Sequence, residues 1–285
     1  MEASPLPSVE LDPAPEAAEQ AYADLHAALC EAAQVHRRLC APRLVRYGDF
    51  EIASEVFAVR FLPGDFFTLE PTEHGVLLAL GDVCGKGPAA GMWIPCLVAL
   101  VGAHAAATPE LGAVVAGVNR VLNRMSSLAP TASLFLARLD PLTGMLDYCS
   151  AGHPPAVLLR ADGRREAISA GGPLLGVVDD VCFTSGRVEL RGGDVLLAYS
   201  DGVIESRDGA DEEFGLERLE AQLQRARDGA ASADATLFSV LGAVQDFAAP
   251  RPLIDDTTLV VVRRRASSLH ALPSPRRELS TWPWP

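Results

Sequence analysis

Residues 76–80, 195–199 and 259–262 are unbroken apolar runs. Short runs of this kind predict strands covered on both faces. Residues 133–139 alternate more openly, and 146–150, 156–160 and 164–168 read as a meander with a hairpin turn at Asp162-Gly163. Helical spacing predicts helices over residues 88–107, 109–128, 215–227 and 233–247. Pro88 suits the first turn of its helix, and Pro95 is expected to kink it. Strands in consecutive groups and helices in two blocks predict an α+β layered domain rather than a parallel βαβ sheet.

Ahead of that body lies a different pattern. Residues 1–15 are proline-rich with little apolar content, which predicts a disordered lead-in. Residues 16–40 hold neither Pro nor Gly, and Ala18, Tyr22, Leu25, Leu29, Ala32, His36 and Leu39 alternate spacings of four and three. That is a heptad-like seam, and Pro42 ends it. The expected organisation is a lead-in (1–15), a linker helix (16–42), a folded domain (46–263) and a flexible tail (266–285). A seam this short must pack against something to be stable in water, so residues 16–40 are a candidate homodimer element.

Composition narrows the function. The formal charge of −13 argues against a nucleic-acid partner, which would call for a basic stripe. The cysteines Cys30, Cys40, Cys84, Cys96, Cys149 and Cys182 make no CxxC pair and no zinc-ligand spacing, as expected of small buried hydrophobes in a reducing cytosol. Residues 87–109 lack Asp, Glu, Lys and Arg, but Pro88, Pro95, His104 and many alanines fit a helix buried in a soluble domain better than a membrane span. No basic start precedes an apolar run, so no signal peptide is expected. The protein reads as soluble and cytoplasmic.

The candidate chemistry lies where aspartates meet strand ends. Asp82 follows 76–80 in Gly81-Asp82-Val83-Cys84-Gly85-Lys86-Gly87, Asp201 follows 195–199, Asp255 and Asp256 precede 259–262, and Asp65 lies in Pro63-Gly64-Asp65-Phe66-Phe67. Each alone is ordinary turn chemistry. Brought together, two such charges about 4 Å apart would repel by about 4 kcal/mol at an effective dielectric of 20, so the cluster would need protons or cations. With no His or Cys converging, the donor set selects hard ions, magnesium or manganese. The loop 81–87 is not a P-loop: its spacing is short, Gly87 follows the lysine, and its leading aspartate would repel phosphate.

The ordered motifs PGDFF, GDVCGKG, SAGHPPAVLL, GGPLLGV, YSDGVIE, FGLERL and DDTTLVVV resemble the SpoIIE/RsbU branch of the PPM-type metal-dependent serine/threonine phosphatases, over roughly residues 46–263. The resemblance implies two antiparallel β-sheets in a sandwich flanked by helices, with two divalent cations, Mn2+ or Mg2+, at one edge. It implies that Asp82 bridges both ions, that the Val83 carbonyl binds one, that Asp201 and Asp255 complete the first and that Asp65 serves the second. Asp256 is assigned to the surroundings of the metals, with the choice between the paired aspartates open. Arg60 matches a position where relatives often contact phosphate, and exposure on a strand is the plainer alternative.

The chain departs from the branch at Pro63, where glycine is usual, at Thr68, where an acid is frequent, and at Cys84, where serine is usual. His153 belongs to the signature and is read as structural. The implied reaction is hydrolysis of phosphoserine or phosphothreonine, with a phosphorylated STAS-domain anti-anti-sigma factor as the target. The rival readings are a degenerate domain that binds the phosphoprotein without hydrolysing it, and a hydrolase of small phosphoesters.

Overall fold

The unbroken apolar runs become central strands of two sheets. The computed structural model describes residues 15–40, 42–125 and 129–266. Helix α1 (Pro15–Leu39) leads to β1 (Leu44–Tyr47), β2 (Phe50–Phe57), β3 (Asp65–Thr72) and β4 (Gly75–Val83). Helices α2 (Pro88–Gly91), α3 (Ile94–Ala107) and α4 (Leu111–Met125) follow. Then come β5 (Ala132–Leu139), β6 (Met145–Ala151), β7 (Ala156–Leu159), β8 (Arg165–Ile168), the short β9 (Gly171–Gly172), β10 (Gly186–Glu189) and β11 (Val195–Tyr199). Helices α5 (Asp201–Ile204), α6 (Gly215–Asp228) and α7 (Ala233–Ala248) precede β12 (Thr257–Arg264).

One sheet runs β1-β2-β12-β11-β7-β8 and the other β10-β6-β5-β4-β3, with β9 beside β6. Between them lies a core of Phe50, Ile52, Phe67, Leu80, Phe135, Leu196 and Val260. The outer face of the second sheet is covered by α3 and α4 through Ile94, Leu97, Val114 and Val118. The outer face of the first is covered by α6 and α7 through Leu219, Leu223, Leu237 and Val240. The result is the helix–sheet–sheet–helix sandwich that the resemblance implied. Every residue of β11 is buried, because this strand has a packed layer on each side.

The structure corrects three local expectations. Residues 146–150 do not form a meander with 156–168: β6 pairs with β5, β9 and β10, whereas β7 and β8 belong to the other sheet. Gly152 turns the chain at φ 61, and Pro154-Pro155 have no N–H to extend a ladder, so the strand crosses between layers. The β7–β8 hairpin itself forms around Gly163 at φ 92.

The stretch 88–107 is two helices rather than one kinked helix, because Pro95 falls in the first turn of α3 and the chain breaks at Met92-Trp93. By length and composition alone Pro88–Ala107 could cross a membrane. Here Ile94, Leu97 and Val101 cover the sheet, and much of the rest is half-buried or exposed rather than enclosed. The predicted helix over 109–128 is observed as Leu111–Met125, and 126–128 lie outside the described residues.

The seam on α1 is also divided. Tyr22 and Leu25 are exposed, whereas Leu29, Ala32 and Leu39 are half-buried and His36 is buried. The second half of the seam is therefore spent on covering the chain's own body. The predicted lead-in and tail, apart from Pro15 and Ala266, lie outside the described residues.

Candidate metal centre

Strand register creates the first pair of carboxylates. Antiparallel β3 and β4 place Asp65 directly opposite Asp82, so both side chains leave the same face of the sheet. Asp65 is buried at 2% exposure, and its Oδ2 accepts a hydrogen bond from Thr258 Oγ1 at 2.7 Å. Thr258 belongs to β12 of the opposite sheet, and its own N–H donates to Ser200 Oγ at 2.9 Å. One threonine thus ties the two sheets together at the point where their acidic ends meet.

The other carboxylates arrive from the first sheet. β11 ends at Tyr199, Ser200 caps α5, and Asp201 opens that single helical turn. Gly202 packs so tightly on the start of β12 that a Cβ there would sit 2.0 Å from the Asp256 carbonyl oxygen. Asp255 is held by Lys86 Nζ at 2.8 Å, an ion pair whose side chains are about half exposed. Asp256 is engaged differently. Its carboxylate accepts the backbone N–H of Val59 at 2.9 Å and of Gly64 at 2.8 Å, fastening the loop between β2 and β3.

The electrostatics are those of an under-neutralised acidic site. Burial, then the charge of Asp82, pushes the Asp65 carboxyl well above the usual range, against the pull of hydrogen bonds from Ser200 and Thr258. Burial, followed by the charges of Asp201 and Asp255, pushes Asp82 up to about 6. Burial also raises Asp201. The facing pair titrates together, so the first proton belongs to the pair rather than to either carboxylate.

These residues fit hard divalent cations by donor chemistry. The donors are all oxygen, and the Val83 carbonyl and Asp82 Oδ1 converge on Gly64, where an added Cβ would lie 3.0 and 3.2 Å from them. Gly64 keeps this space open. Among the described residues no three acidic, His or Cys side chains close into a finished shell around one point, consistent with Lys86 and backbone amides holding Asp255 and Asp256.

Arg60 is exposed on the loop fastened by Asp256, and its stem passes beside Gly87 of the 81–87 turn. Cys84 is exposed and His153 is buried, where burial lowers the imidazole to about 4. The sequence reading missed Ser200, Thr258 and Lys86. The two hydroxyls lie within the YSDG and DDTT motifs, so the signal was present, but only the fold shows that they meet across sheets.

Replacing Asp256 with Asn should leave one of the two loop amides facing an NH2 group rather than an acceptor. The expected outcome is a 10- to 100-fold loss in apparent affinity for manganese, the size typical of outer-shell changes, read by titrating activity with the ion.

Residues 72–265 match the family model described as Stage II sporulation protein E (SpoIIE). The chain belongs to the SpoIIE family. Protein IcfG of Synechocystis is 27% identical over 188 residues, covering 56% of this chain and 30% of IcfG. Phosphoserine phosphatase RsbU of Bacillus subtilis is 26% identical over 242 residues, covering 82% of this chain and 69% of RsbU. The SiaA-PP2C domain of Pseudomonas aeruginosa superposes with a TM-score of 0.72 at 17% identity, covering 85% of this chain and 98% of that one, a likeness of fold. This SpoIIE-family chain spans under a third of IcfG and about two thirds of RsbU.

Proposed function

We propose that this SpoIIE-family chain is a metal-dependent phosphoprotein phosphatase that hydrolyses phosphoserine or phosphothreonine, with a phosphorylated STAS-domain protein in a partner-switching pathway as its target. The observation that carries the reading is the convergence of Asp65, Asp82, Asp201 and Asp255 at the edge where the two sheets meet. The similarity to a chain named phosphoserine phosphatase supports the substrate class.

Asp82, Asp201 and Asp255 would hold one divalent cation and Asp65 would serve a second, with Asp82 common to both and the Val83 carbonyl a donor to one of them. Such a pair of ions supplies electrophilic stabilisation of phosphoryl oxygens and acidifies water for in-line attack. The protein's own residues do the rest. Thr258 and Ser200 fix Asp65 in one orientation. Asp256 holds the loop that carries Arg60, the residue assigned to bind a phosphoryl oxygen. Lys86 pairs with Asp255 and so helps to position it.

A phosphorylated STAS-domain protein and a set of nucleotides, each incubated with the chain and manganese, test the substrate class. Phosphate release from the phosphoprotein alone is expected. Turnover of nucleotides alone would replace this reading with a small-phosphoester hydrolase, and tight binding without release would replace it with a phosphoprotein-binding regulator.

We place the chain in the cytoplasm, in keeping with its unpaired cysteines. We also assign α1 a regulatory role, with Tyr22 and Leu25 left free for a second copy. A chain beginning at Ala41 should remain folded, run as a monomer by light scattering and show an altered manganese requirement. Unchanged mass together with unchanged kinetics would refute that role.

A further inference from the structure

Beneath α1 lies a cavity of about 650 Å3, beside the loop that leads to Asp65. His36, Arg37 and Cys40 of α1 line it on one side, and Arg60, Phe61 and Phe67 of the body on the other. His26 packs edge-on against Phe61 at 5.0 Å, continuing the contact between helix and loop. A volume of this size lies within the range of small-molecule sites.

His36 is 4% exposed, yet its Nε2 has no hydrogen-bond partner. Nδ1 faces Cys40 Sγ at 4.0 Å. Burial lowers the imidazole against the pull of the Asp256 charge, and burial raises the Cys40 thiol. Nε2 is a buried polar atom that the fold leaves without a partner. Leaving such a group unmatched costs about 1–3 kcal/mol.

Asp256 and Asp65 act on His36 and Cys40 from the carboxylate cluster, and the Asp256 carboxylate is already engaged by two loop amides. Arg37 and Arg60 have no carboxylate partner among the described residues. The acid on the rim, Glu55, lies 3.7 Å from Arg43, which also reaches Asp234 at 3.5 Å. The cavity therefore offers a buried ring nitrogen without a partner, two guanidinium groups free of ion pairs among the described residues, and aromatic walls.

We propose that this cavity binds a small organic anion, its charged head on His36 and Arg37 and its apolar body against Phe61 and Phe67. Arg60 and Phe61 belong to the loop that Asp256 fastens and that ends at Asp65, so an occupant clamps α1 to the loop serving the carboxylate cluster. The binding itself does not depend on the phosphatase reading.

Fluorescence titration of the full chain with 8-anilinonaphthalene-1-sulfonate tests the site, with uncharged N-phenyl-1-naphthylamine in parallel. Arg37→Glu is compared with Arg38→Glu, the same charge change on an exposed neighbour that does not line the cavity. The expected result is saturable one-to-one binding of the sulfonate, at least tenfold weaker in Arg37→Glu and within twofold of the native chain in Arg38→Glu. The uncharged dye should respond equally little to both changes. Absence of saturable binding, or an equal loss in the two variants, would overturn the proposal.

Discussion

Replacing Asp82 with asparagine is expected to lower kcat on the order of a thousandfold, yet to raise the thermal midpoint of the chelated protein. The activity loss follows because Asp82 stands between the carboxylates of both sheets and is the residue assigned to both ions. Removing one preorganised charge from such a site costs about 10²–10³ in rate, and here a single residue serves two ions.

The stability change has the opposite sign. Asp82 titrates near 3.8 when unfolded and is pushed up to about 6 in the fold. Below about 3.8 both states hold the proton and nothing is lost; between the two values the unfolded state releases it first, so stability falls as pH rises, and above about 6 the full cost is present. That cost is roughly 2–3 kcal/mol, and asparagine removes it. For a domain of this size the gain is about 5–10 °C at pH 8 without metal. Calorimetry across pH 4 to 8 in the presence of a chelator, beside turnover with manganese, checks both signs. A variant that loses activity and stability together would mean that Asp82 is a structural residue rather than a ligand.

Replacing Gly202 with alanine should be nearly as damaging by a different route. The added Cβ meets the Asp256 carbonyl oxygen at 2.0 Å, a backbone atom that no side-chain rotation can clear. Either α5 or the start of β12 must shift, moving Asp201 away from Asp255. The expected result is a loss of about 1–3 kcal/mol, the usual range for overpacking, and a fall in kcat of about a hundredfold, since misplacement by about 1 Å carries that penalty. Gly209→Ala, with nothing within 4 Å of its added Cβ, should behave as the native chain in both assays.

The sheets were legible in the sequence wherever a strand is covered on both faces. Residues 195–199 announce β11 because both neighbouring layers are apolar, and the same holds for β4 and β12. Which sheet a strand joins was not legible. The run 146–150 looks like the first arm of the following hairpin, and only the turn at Gly152 and the two prolines after it send β7 to the other layer. Period cannot report a crossover, since it records burial and not partner.

The acidic site was legible by residue type and order. Asp65, Asp82, Asp201, Asp255 and Asp256 each mark a strand end, but their division of labour depends on geometry. The two adjacent aspartates are equivalent in sequence, whereas in the fold Asp255 faces Lys86 and Asp256 accepts two loop amides. The heptad seam on α1 likewise records apolar spacing without saying what it covers. Its second half turns out to lie over the body, and His36, one of the seam residues, is the most buried polar residue of that helix among the described residues.

The central claim is that these aspartates hold the cations that drive phosphate ester hydrolysis. Turnover of an aryl phosphate by the purified chain, first after exhaustive chelation and then on titration with manganese, tests it most directly. The account predicts no release without the ion, saturable activation by manganese and no activation in Asp201→Asn. Full activity surviving chelation would contradict it.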